Sequence, residues 1–182
     1  MDTSTLARIS KLHPLVREEV AKIIQECDTA LTGRAKVRIT QGLRTFKEQE
    51  ELYALGRTKV NPVGKTSKKP MGNKVTNAKA GQSIHNYGFA VDICLIIDGK
   101  TASWDTAKDW DNDRIADWYE CVKIFAMYGW EWGGNWKTFK RPASLRQKRL
   151  QFLEEIIQTE TRQKWVRYNL IIFLNSSFFI NK

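Results

Sequence analysis

Apolar residues recur at three- and four-residue steps through Val16, Val20, Ile23, Cys27 and Leu31. That period predicts a helix, opened by Pro14 and closed near Gly33. Lys36–Thr40 alternates, with Val37 and Ile39 facing one way, and reads as a short strand. Thr45-Phe46-Lys47-Glu48 has the spacing of a capping box and predicts a helix to about Leu55. Residues 56–82 are polar and rich in Gly, Lys, Asn and Pro, and a loop that long carries function or stays without structure. Phe89–Ile97 is nearly continuous apolar sequence with β-branched residues, which predicts a central strand buried on both faces. Asp111–Asp113 are read as the cap of a helix with Ile115, Trp118, Val122 and Phe125 on one face and Gly129 as its stop. Trp130-Glu131-Trp132 alternates like a further strand, and Ser144 with Gln147 predicts a last helix carrying Leu150, Leu153 and Ile157. The pattern is α+β: a small antiparallel sheet with flanking helices.

Composition changes this picture at one place. The chain has 182 residues, 42% hydrophobic and 27% charged, which fits one domain plus an appendage and excludes wholesale disorder. Its net charge of +10 is uneven: residues 1–136 hold 20 Lys/Arg against 17 Asp/Glu, and residues 137–182 hold 10 against 3. The longest apolar cluster, Leu170–Leu174 and then Phe178–Ile180, is too short to span a bilayer. The first residues lack the apolar core of a signal peptide, so synthesis in the cytoplasm is expected. Cys27, Cys94 and Cys121 fall on apolar faces without a CxxC pair and are expected to be buried free thiols.

The candidate chemistry sits inside the buried strand. Asp92 is flanked by Val91 and Ile93, and an unpaired carboxylate there is costly, so a cation, a hydrogen-bond network or a metal must neutralise it. His85 precedes it in Ser83-Ile84-His85-Asn86-Tyr87-Gly88, where Asn86 and Gly88 favour a tight turn. On residue types alone, a zinc-ligand pair and a hydrogen-bonded structural His–Asp pair fit equally. His13, ahead of Pro14, reads as a capping or packing residue. The six tryptophans between Trp104 and Trp136 suit either core packing or a peptide- or glycan-binding groove.

Ser83-x-His85-x-x-Gly88-x-Ala90-x-Asp92 resembles the zinc-site signature SxHxxGxAxD of the LAS-type peptidases. These are the D-Ala-D-Ala carboxypeptidases and L-alanyl-D-glutamate endopeptidases of peptidoglycan, many of them phage endolysins. The resemblance continues in Leu12-His13-Pro14, Gln41-Gly42-Leu43-Arg44-Thr45, Glu48-Gln49, Leu52-Tyr53, Gly56-Arg57-Thr58, Val75-Thr76-Asn77-Ala78 and Trp130-x-Trp132-Gly133-Gly134-x-Trp136. It implies a LAS/hedgehog-like architecture over residues 1–140 and a zinc cofactor held by His85 and Asp92. It also implies that Arg44 binds substrate and steadies the oxyanion, and that Ser83 contacts substrate. Peptidoglycan stem peptides are then the expected partner, and the QGLRT and GGNW segments resemble the endopeptidase branch more closely than the carboxypeptidases.

The resemblance breaks where the charge shifts. The family supplies its base and third zinc ligand from a DxPHF-like segment, whereas this chain reads Trp136-Lys137-Thr138-Phe139-Lys140-Arg141-Pro142-Ala143-Ser144. His13 and His85 are the sole histidines, and no general base is found; Glu154 and Glu155 are read as a solvated helix face. Residues 141–182 are therefore read as a divergent or frameshifted basic tail, helix then apolar segment. Weak or absent zinc and impaired hydrolysis are expected. The alternatives are a non-catalytic peptidoglycan-binding domain, or a basic nucleic-acid binder using Arg141, Arg146, Lys148, Arg149, Arg162, Lys164 and Arg167. The first reading expects no specific nucleic acid, a monomer, a phage or prophage origin, and release to the cell wall by a partner holin.

Overall fold

The computed structural model describes residues 1–137 and 140–147. The predicted helix with Leu150, Leu153, Glu154, Glu155 and Ile157, the apolar cluster beyond Leu170 and the tail cations from Lys148 onward lie outside the described residues. Helix α1 (Thr3–Ile9), which the apolar pattern does not reveal, is capped by Asp2, whose side chain accepts from the Thr5 N–H. Helix α2 (Pro14–Ala30) buries Val16, Val20, Ile23, Ile24 and Cys27, the predicted stripe. His13 caps it, with Nδ1 accepting from Leu15 N–H at 3.3 Å while the ring stacks on Phe89 at 4.2 Å. Strand β1 (Ala35–Gln41) follows, and then α3 (Phe46–Ala54), with the predicted capping box intact on Thr45 and Glu48.

Strand β2 (Ala90–Ile97) is the spine of the sheet. It pairs antiparallel with β1 along its length, from Ala35 opposite Ile97 to Gln41 opposite Asp92, with a bulge between Ile39 and Gln41. Its other edge is shared: β3 (Thr101–Ser103) covers Leu95–Ile97, and β5 (Ser144–Gln147) covers Ala90–Asp92. Strand β4 (Trp130–Trp132) joins the sheet through β5. Helices α1 and α2 pack on β1, and α4 (Asp117–Met127) packs on α2 and β4. Trp118, Trp130 and the thiols of Cys27, Cys94 and Cys121 are buried, so those tryptophans are core. Among the described residues no helix is long and apolar enough to cross a membrane.

Two expected elements differ. Ser144–Gln147 is an inner strand and not a helix start: Leu145 is fully buried opposite Val91, and that burial overrides the cap-like spacing of Ser144 and Gln147. The helix expected from Asp111–Asp113 begins later, at Asp117 with Ala116 as its cap, and Ile115 is exposed. The acids at 109–113 instead fold a loop on their own backbone: Asp109 accepts from the N–H groups of Asp111, Asn112 and Arg114, and Asp113 from that of Ile115.

Candidate active site

Asp92 reaches the site because strand alternation turns it away from Val91 and Ile93. Its side chain is 14% exposed, and two partners approach it, each at 3.5 Å: Arg44 Nη2 on Oδ2 and His85 Nε2 near Oδ1. His85 is brought there by a 3₁₀ turn, Ile84–Tyr87, which Gly88 closes at φ 74°. A side chain at Gly88 would meet the His13 backbone nitrogen at 2.6 Å, so glycine is required by conformation and by space. The same turn holds Arg44, whose N–H donates to the His85 carbonyl at 2.9 Å, while Asn86 Nδ2 donates to the Arg44 carbonyl at 2.8 Å.

Arg44 is buried and spends its guanidinium on two acceptors, Nη1 on Gln49 Oε1 at 2.9 Å and Nη2 on Asp92. Gln49 is fixed in turn by donating to the Ala78 carbonyl at 2.7 Å. Burial lowers the Arg44 pKa and the Asp92 charge opposes that. For Asp92, burial pushes the carboxyl up, but the cationic form of His85, then Arg141 and Arg44, outweigh it and hold the pKa at about 2. Asp92 is a carboxylate at neutral pH.

His85 Nδ1 lies 2.9 Å from the Gly42 carbonyl, which can only accept a hydrogen bond, so Nδ1 carries the hydrogen in the neutral ring. Nε2 is then a bare lone pair. It faces Asp92 Oδ1, and neither atom has a hydrogen-bond partner. Two buried acceptors facing one another call for something positive between them, either a second proton on the His85 ring or a metal ion. The donor set, one imidazole nitrogen and one carboxylate oxygen, suits zinc. Among the described residues no third His, Cys, Asp or Glu groups with this pair closely enough to share an ion. Ser83 is buried at the head of the turn with no capping bond from its side chain. The structure thus brings His85, Asp92 and Arg44 together, with Ser83 on the same turn. Gln49 and the Gly42 carbonyl, which position them, were not singled out from the sequence.

A family model described as D-alanyl-D-alanine carboxypeptidase matches residues 76–142. Peptidoglycan L-alanyl-D-glutamate endopeptidase CwlK of Bacillus subtilis (strain 168) is 40% identical over 131 residues, 72% of this chain and 70% of that protein. The chain belongs to the LAS-type peptidases. The L-Ala D-Glu endopeptidase ChiX of Serratia marcescens shares the fold at 17% identity and a TM-score of 0.51, covering 81% of this chain and 88% of ChiX. The α+β class read from the apolar pattern and the LAS-type architecture implied by the resemblance are both borne out.

Proposed function

We propose that this LAS-type domain acts on peptidoglycan stem peptides as an L-alanyl-D-glutamate endopeptidase whose cleavage is held back by an incomplete metal site. One observation carries the reading: the unpartnered Nε2 of His85 and Oδ1 of Asp92 face each other beside the buried Arg44. The likeness to CwlK, named as an endopeptidase of that bond, supports it. His85 and Asp92 would hold zinc, which when bound polarises a carbonyl and acidifies its water.

The chain's own residues do the rest. The Gly42 carbonyl fixes the His85 tautomer that leaves Nε2 free. Arg44 supplies a desolvated positive charge for a substrate carboxylate or a developing oxyanion. Ser83 offers a hydroxyl to the peptide. The base is the missing part, since the segment that follows Trp136 brings Lys140 and Arg141 where an acid is needed. Non-catalytic binding of wall peptides is the second reading, favoured by Arg141, whose charge acts on both Asp92 and Arg44. On either reading we place the chain with monomeric, phage-derived wall-active proteins that reach their substrate after release by a holin.

The test is retained zinc and new N-terminal amines released from purified peptidoglycan. Ser144 lies directly opposite Asp92 in the sheet, so Ser144→His adds an imidazole on the same face. We expect the unaltered chain to lose its zinc on dialysis and to cleave little. Ser144→His should retain zinc at least ~10-fold more tightly, the scale of even indirect ligand changes. Stoichiometric zinc and robust zinc-dependent cleavage by the unaltered chain would show a complete site. Peptidoglycan binding lost in Arg44→Ala, with no cleavage by any variant, would favour the binding module.

A further inference from the structure

A second cluster of carboxylates lies at the start of α4, built from different chemistry. Asp109, Asp111 and Asp117 bring one oxygen each within 4.8 Å of one another, and Asp111, Asp113 and Glu120 do the same. Asp111 belongs to both groups, so five acids converge within twelve residues. Acids that crowd this closely repel one another, and a cluster alone is common on surfaces.

Burial makes this one different. Asp117 is 0% exposed. Its Oδ1 accepts the Trp110 N–H at 2.7 Å, but its Oδ2 is buried without a hydrogen-bond partner, and so is Oε2 of Glu120. A buried carboxylate oxygen with neither proton donor nor cation is costly, and here two belong to the same cluster. The spacing explains what they await. Asp109, Asp111, Asp113, Asp117 and Glu120 occupy positions 1, 3, 5, 9 and 12 of a twelve-residue loop that runs into a helix, and Ile115 offers its carbonyl at position 7. Those are the ligand positions of a calcium loop, and all the donors are oxygens, which suit calcium and not the zinc of a nitrogen-containing site. Position 6, ordinarily glycine, is Arg114, and it adopts the required left-handed conformation at φ 78°. The loop is also tied down from outside: Asp111 Oδ2 accepts from the Thr32 N–H at 3.1 Å and the Thr32 hydroxyl at 2.9 Å. At Gly33 a side chain would meet Asp111 Cβ at 2.5 Å, so the corner after α2 holds the loop in place.

We propose that the loop from Asp109 to Glu120 binds one calcium ion, independently of His85 and Asp92, and so pins the first turn of α4.

Calorimetric titration of the full chain with CaCl2, and separately with MgCl2, tests this alongside melting curves. One calcium per chain is expected, with a dissociation constant below ~10⁻³ M, the weak end for such loops, and magnesium at least ~10-fold weaker. Glu120→Gln should weaken calcium at least ~10-fold, while His85→Ala, and Asp105→Asn in the stretch ahead of the loop, should leave it unchanged. Should Glu120→Gln lower the calcium-free melting temperature, Asp113→Asn, an exposed position, serves in its place. Absence of heat and of any rise in melting temperature at ~10⁻² M calcium, ten times the expected limit, would overturn the proposal. Calcium binding that survives both acid variants but is lost in His85→Ala would overturn it equally.

Discussion

Asp92 and Arg44 are 48 residues apart in sequence and depend on each other: the guanidinium is buried, and the carboxylate 3.5 Å away is its one anionic contact among the described residues. Removing that charge while leaving the cation buried should cost stability even without metal. Asp92→Asn is therefore expected to lower the unfolding free energy of metal-free protein by about 1–3 kcal/mol, the scale of a buried group left unsatisfied. Urea unfolding checks it, and an unchanged midpoint would mean that water reaches Arg44. At this scale the sequence was legible in part. A lone carboxylate in an apolar strand demands a partner, and His85 was close enough along the chain to be found. Gln49 and the Gly42 carbonyl were not legible, since an amide and a backbone oxygen carry no signal until the chain is folded. The calcium-type spacing stands in plain letters, but the same acids also have the spacing of a helix cap.

The elements that follow local rules were readable, and those decided by neighbours were not. The Thr45–Glu48 capping box is a local device, with Thr45 accepting from the Glu48 N–H and Glu48 accepting from the Thr45 N–H. Thr45→Ala is expected to cost about 1 kcal/mol in thermal or chemical unfolding. Strand β5 shows the other case, since the partner that makes it a strand lies more than 50 residues earlier. Helix α4 carries a pH signature of its own. Burial first, then the charges of Asp113, Asp111, Asp117 and Asp109, raise the Glu120 pKa from 4.5 to about 7. A folded-state pKa above the unfolded one stabilises at low pH: the contribution is full below about 4.5 and is lost as pH rises through about 7. Melting temperature of calcium-free protein should fall across that window, and Glu120→Gln should flatten the fall. An equal slope in the variant would assign the effect to other groups.

On the scale of the whole molecule, the change in charge near residue 137 does not coincide with the end of the sheet. Strand β5 lies beyond it and separates β2 from β4, with Leu145 fully buried. A chain ending at residue 140 should therefore fail to give a cooperative unfolding transition, whereas one ending at residue 147 keeps all five strands. Calorimetry of the two truncations separates them. We propose that the boundary between peptidase domain and tail, which the resemblance puts at residue 140, belongs after β5.

The position of β5 also dictates timing on the ribosome. Synthesis delivers β1, β2, β3 and β4 in order, yet β4 has no seat until the segment made after it slots between β4 and β2. Until then the Ala90–Asp92 stretch of one β2 edge offers unpaired amides and carbonyls to any passing strand. The nascent chain thus carries its adhesive edge from the synthesis of β2 until β5 is made, and folding is completed from the last strand inward. Slow decoding between codons 132 and 147 would prolong that exposure and favour aggregation, while the mature protein stays untouched by the same delay.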